Sequence, residues 1–91
     1  MNIVLRVPHS LSGLIDNAEE AICEGNTVEE CINDISSKFP ALKKRIIDNN
    51  GELNGDMLVF LNGENILNLD KKHTAVNDGD EISIVPFAAG G

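Results

Sequence analysis

The residue types that carry chemistry are few in this chain, and most are not spaced for it. His9 and His73 could move protons, and Cys23 and Cys31 could act as nucleophiles or soft metal ligands. Neither histidine lies beside a serine or cysteine in a nucleophile motif; Pro8-His9-Ser10 fits no elbow pattern. Cys23 and Cys31 lack metal-ligand spacing and fall at apolar positions of expected elements, which reads as packing. Asp78-Gly79-Asp80-Glu81 lacks the twelve-residue spacing and late glutamate of a calcium loop and reads as a polar turn. Asn62-Gly63-Glu64 is not a phosphate loop, because no lysine follows a glycine-rich run. Lys43-Lys44-Arg45 is a basic cluster in an acidic chain, either a solvated face or a docking point. No metal site and no catalytic set of the chain's own is expected.

What remains is the end of the chain, Ala88-Ala89-Gly90-Gly91. A terminal carboxylate on a tip without side chains is a group that another enzyme can reach, activate and modify. The question becomes whether the preceding residues form a device that presents it.

Ile3, Leu5 and Val7 alternate with less apolar neighbours, which predicts a half-buried strand ended by Pro8. His9 to Asn17, rich in Ser, Gly and Asn, reads as a loop. Glu20 to Glu24 alternates again and should pair back on the first strand. Thr27 with Glu30 makes a capping box, and Val28, Cys31, Ile32, Ile35 and Phe39 form one helical stripe, stopped by Pro40. A shorter helical stretch, residues 41 to 48, adds Leu42, Ile46 and Ile47. Met57 to Leu61 is an apolar run too short for a helix, and Asn62-Gly63 turns it into a short edge strand over Glu64 to Leu67. Asn77 to Asp80 is a tight turn, and Ile82, Ile84 and Pro86 alternate in the last strand. The order predicts one α+β domain, a four- to five-stranded sheet with one main helix across one face. Residues 1–86 form the domain and 87–91 a flexible tail.

Composition narrows the partners. A formal charge of -8 and only three aromatic residues disfavour nucleic acid, which needs cations interleaved with stacking rings. The same charge either keeps the chain soluble or steers it to a basic partner. No apolar run approaches the ~20 residues of a membrane span, and no secretory signal is visible, so a cytoplasmic chain is expected.

Three segments carry a family resemblance: Phe60-Leu61-Asn62-Gly63, Ala75-Val76-Asn77-Asp78-Gly79-Asp80-Glu81-Ile82, and Ile84-Val85-Pro86-Phe87-Ala88-Ala89-Gly90-Gly91. With the element order, they resemble the MoaD/ThiS family of ubiquitin-like sulfur carriers, over essentially the whole chain. Arg6-Val7-Pro8 and the ending Pro-x-x-Ala-Gly-Gly look most like the branch that feeds sulfur to cysteine synthesis. The resemblance implies a β-grasp fold and a carrier, not an enzyme. Its Gly91 would be adenylated by a ubiquitin-activating-type enzyme using ATP, then converted to a thiocarboxylate with a sulfur donor. Gly90, Ala89 and Ala88 would thread partner channels, a sulfur-accepting synthase would take the product, and no cofactor would be bound. A molybdopterin-synthase small subunit, a modifier joined through Gly91 to lysines, and a plain interaction domain with an accidental tail are the alternatives.

Docking needs a surface beside the tail. If Val59 and Leu61 face the helix, Leu58 and Phe60 point outward, joined by Val85, by Phe87 at the tail root and by Val4. Reversed parity would place Leu58 and Phe60 in the core. Periodicity alone leaves both readings open.

Overall fold

The computed structural model describes residues 2–87. Strands β1 (Asn2–Arg6), β2 (Glu20–Glu24), β3 (Met57–Leu61), β4 (Glu64–Asn65) and β5 (Glu81–Pro86) form one sheet in the order β2-β1-β5-β3-β4. Only the central β1–β5 pair is parallel; β1–β2, β3–β5 and β3–β4 are antiparallel. Helices α1 (Val28–Lys38) and α2 (Pro40–Ile46) lie between β2 and β3 in sequence. The stripe Val28, Cys31, Ile32 and Ile35 of α1 is buried in one cluster with Ile3, Leu5, Val59, Leu61, Ile82 and Ile84. This is the α+β sheet expected from the element order and the ubiquitin-like β-grasp arrangement that the family resemblance implies.

Local chemistry explains how α1 starts. Thr27 Oγ1 accepts from the Glu30 amide at 3.2 Å, while the Glu30 carboxylate reaches back to the Asn26 amide at 2.9 Å. The reciprocal arm of the capping box therefore lands one residue earlier than the motif predicts. Just before it, Gly25 passes so close to α1 that a Cβ would sit 2.8 Å from both the Cys31 amide nitrogen and the Glu30 Cβ. Backbone cannot yield to that contact cheaply. Gly25→Ala should therefore lower the unfolding free energy by about 1–3 kcal/mol, the usual cost of overpacking, read by urea titration. The amide of Val76 donates to Asn26 and that of Val28 to Thr74, so residues 74–76 are stitched to the helix entrance.

The structure corrects three local expectations. His9–Ile15 is a 3-10 helix, not a loop, because Leu11 and Ile15 are recurring apolar side chains that the core takes up. β4 stops at Asn65, whose side chain accepts from the Leu67 amide and folds Ile66–Asn68 into a 3-10 turn. α2 begins at Pro40 itself, where proline is tolerated because a first-turn amide has no helical partner. No helix among the described residues is long and apolar enough to cross a membrane.

Candidate functional site: the end of the last strand and the face beside it

The polar turn before β5 locks that strand's position. The Asn2 amide donates to Asp78 Oδ1 at 2.7 Å, and the Gly79 amide donates to the Asn2 carbonyl at 2.9 Å. Gly79 has φ +88°, a left-handed geometry that favours glycine. Asn77 donates its amide to Asp80 Oδ2 at 2.8 Å, and Val4 donates to the Asp80 carbonyl at 3.0 Å. From the other side, the Asn62 side chain donates to Asp80 Oδ1 at 3.1 Å and accepts from the Glu81 amide at 2.9 Å. The acidic turn and the Asn62-Gly63 hairpin are thus one clasp. It sets the register of β5 between β1 and β3.

That register decides which side chains face outward. Leu58 pairs with Val85, Val59 with Ile84, Phe60 with Ser83 and Leu61 with Ile82. Met57, Val59 and Leu61 are buried with Ile82 and Ile84, while Leu58, Phe60 and Val85 are half-buried on the face opposite α1. Leu58 and Val85 sit directly across from each other, and Phe87, 55% exposed, continues from Val85 toward the tail. Reversed parity is excluded.

Val4 is set apart. It faces the same way but pairs with Ile22 of β2 and Glu81 of β5. Val85 lies four residues farther along β5, about 13 Å at the usual strand rise. Between them Arg6 forms ion pairs with Glu20 and, at 3.3 Å, with Glu81. The outer face therefore carries one apolar cluster beside the tail and a second, smaller one at Val4 and Ile22, with charges between.

Pro86 is compatible with pairing for a specific reason. Antiparallel ladder bonds occur at alternate residue pairs. The Asn62 amide bonds to the Glu81 carbonyl and the Phe87 amide to the Asp56 carbonyl, so Met57–Pro86 is a non-bonded pair. β1 pairs with β5 only as far as Ser83, so on that side too Pro86 forfeits no ladder bond. The attachment of the chain to β3 thus runs through Phe87, one residue past the proline. Asp56 at this anchor also takes Arg45, whose Nη1 is 3.1 and 3.3 Å from its carboxylate oxygens. Ala88, Ala89, Gly90 and Gly91, the expected threading and modified positions, lie outside the described residues.

The other chemistry-bearing residues do not converge. The His9 imidazole, largely exposed, lies 3.6 Å from Glu19, and His73 ends a 3-10 turn elsewhere on the surface. No group of three or more His, Cys, Asp and Glu side chains is placed to hold a metal ion among the described residues. Cys23 and Cys31 are both fully buried, and burial pushes the Cys23 thiol up to about 12, with Cys31 beside it adding to the effect. Burial raises Cys31 as well. Thiols of this kind are inert. Iodoacetamide at pH 8 should leave both unlabelled in the folded protein and label both in urea, as read by intact mass.

The model of the ThiS family matches residues 5–91. A putative sulfur carrier protein of Archaeoglobus fulgidus is 34% identical over 91 residues, covering 100% of both chains. Among solved structures, small archaeal modifier protein 1 from Methanosarcina acetivorans superimposes with a TM-score of 0.89 at 28% identity, over 99% of this chain and 96% of that one. A chain of the Amycolatopsis orientalis BexX/CysO complex gives 0.86 at 27% identity, over 98% and 99%.

Proposed function

The chain belongs to the ThiS family, and on that premise we propose that it is a sulfur carrier whose working group is the Gly91 carboxylate. The observation that carries this reading is the apolar cluster Leu58, Phe60 and Val85 at the end of β5, leading through Phe87 into the Gly-Gly ending. The apolar cluster flanks the strand that runs in sequence through Phe87 to the terminal carboxylate, and no other set of reactive side chains converges among the described residues.

The chemistry follows from what a carboxylate lacks. Its charge repels nucleophiles and oxide is a poor leaving group. A separate adenylating enzyme would join the Gly91 carboxylate to the α-phosphorus of ATP, releasing pyrophosphate and leaving an acyl-adenylate. Hydrosulfide, or a donor's equivalent, would then attack the carbonyl carbon and expel AMP. The product is a C-terminal thiocarboxylate, anionic at neutral pH and nucleophilic at sulfur. A synthase would accept that sulfur. The ending Pro86-Phe87-Ala88-Ala89-Gly90-Gly91 and the likeness to CysO favour cysteine synthesis as the consuming pathway.

Incubation with the cognate adenylating enzyme, ATP and sulfide should add about 16 Da, the exchange of oxygen for sulfur, at the C-terminus. An unchanged mass under conditions where pyrophosphate is released would overturn the reading. The likeness to small archaeal modifier protein 1 favours a second reading, in which the same activated Gly91 acylates lysines of other proteins. Gly-Gly remnants on lysines in digests of the native host would support that one.

A further inference from the structure

The two edges of the sheet are finished differently. On the β2 edge, Lys38 Nζ donates to the Ile22 carbonyl at 3.2 Å, and Asp34 Oδ2 accepts from the Glu24 amide at 2.9 Å. The two side chains are themselves 3.2 Å apart, and the Glu24 amide, followed by Lys38, holds the Asp34 carboxyl below its usual range. Side chains of α1 thus occupy backbone groups that an added strand would need. That edge is guarded.

The β3 edge is not. β4 pairs with it only at Phe60 and Leu61; the Met57 amide is taken by the Asn54 carbonyl and Leu58 directs its backbone to β5, which leaves the Met57 carbonyl and both backbone groups of Val59 without a strand partner on that side. A concavity of about 270 Å³ runs along this half, walled by Leu53, Met57, Leu58, Val59, Ile66 and Leu67. It carries no charged residue, on a chain of formal charge -8. Leu53, Ile66 and Leu67 also wall a second concavity of about 410 Å³ that continues to Glu52, Asp70, Lys71, Lys72 and His73. Of the four exposed large hydrophobic side chains among the described residues, Leu67 is the most exposed, at 64%, and it lines both concavities.

The charges at the far end select the occupant. Lys72 is taken up by Glu29 at 3.4 Å and Glu52 at 3.0 Å. Lys71, beside Asp70, makes no ion pair among the described residues. An unguarded edge takes an extended backbone, an apolar wall takes alternate side chains, and a free ammonium takes a carboxylate. A second copy of this chain would bring another -8 of charge against the first. We propose that this groove binds an extended segment of a partner protein, apolar at alternate positions and closed by a carboxylate that meets Lys71. Leu58 borders both this groove and the outer face, but Phe60 and Val85 do not line the groove, and the proposal does not depend on the sulfur-carrier reading.

Two fluorescein-labelled peptides test it against the full chain: Gly-Gly-Val-Thr-Val-Thr-Val-Asp, and the same peptide ending in lysine amide. Anisotropy should show saturable binding of the first, at least fivefold weaker binding of the second, and a fivefold loss for the first with Lys71→Glu. Leu67→Asp, at an exposed position that leaves the core intact, should abolish binding without lowering Tm. Amide shift changes should cluster at Leu53, Val59, Ile66 and Leu67. Equal binding of both peptides, shift changes centred on Phe60 and Val85, undiminished binding of an N-methylated peptide, or no saturable binding would each overturn the proposal. So would concentration-dependent self-association through the same residues that the peptide fails to displace.

Discussion

Adding one alanine after Gly91 is expected to abolish thiocarboxylate formation while leaving Tm unchanged. The reacting carbon would no longer be that of Gly91, and the new terminus lies one Cα–Cα step, about 3.8 Å, farther from the docking face. Adenylation requires the carboxylate to lie in line with the α-phosphorus of ATP while the face beside β5 is seated. On the proposed reading, docking and chemistry are therefore separated by a set number of residues. Misplacement of a reacting group by about 1 Å can cost about 100-fold, so a loss of at least 100-fold in ATP–pyrophosphate exchange is expected. The added methyl group also meets whatever backbone-width channel the glycine pair passes through. Exchange within threefold of the unmodified chain would show that activation does not require Gly91 to be the terminal residue, which would overturn the fixed-length argument.

The second large effect concerns the face. Phe60→Asp should raise the carrier concentration for half-maximal adenylation by about 30-fold, with little change in the maximal rate. The size follows from treating Phe60 as a central aromatic anchor worth about 2 kcal/mol. Ile22→Asp provides the control. Ile22 is 52% exposed on the same outer face, but it pairs with Val4 at the far side of the sheet. It should shift the half-maximal concentration less than twofold. Equal effects from the two variants would mean that net charge on the outer face governs docking, rather than the cluster beside the tail. Because Phe60 is half-buried, Tm of both variants should be measured, and Phe60→Leu should recover most of the affinity.

Much of the architecture was legible because its signals are local. The strand alternation of Ile3, Leu5 and Val7, the Thr27 cap and the Asn62-Gly63 turn each act within a few residues and survive in the fold. The 3-10 helix His9–Ile15 was not legible, since Ser10, Ser12 and Gly13 are loop residues by propensity and only burial of Leu11 and Ile15 holds them in a helical turn. Gly25 reads in the sequence only as a residue that can end β2. Its tighter constraint, the nearness of Cys31 and Glu30, belongs to a contact between a loop and a helix and has no sequence signature.

Sequence by itself pointed to the proposed working group, because the Gly90-Gly91 pair is a matter of covalent structure and needs no fold to be read. It also determined that Leu58 and Phe60 share a face, since strand side chains alternate. It did not determine which face. That was decided by the clasp of Asn2, Asn62, Asp78 and Asp80, which fixes β5 against both neighbours, puts Ile82 and Ile84 under α1 and leaves Val85 outside beside Leu58. The separation of Val4 from that cluster was likewise tertiary, since β1 and β5 are distant in sequence and only their parallel register places Val4 at the wrong end of β5. Periodicity is a property of one strand, whereas a docking surface is a property of how strands are aligned.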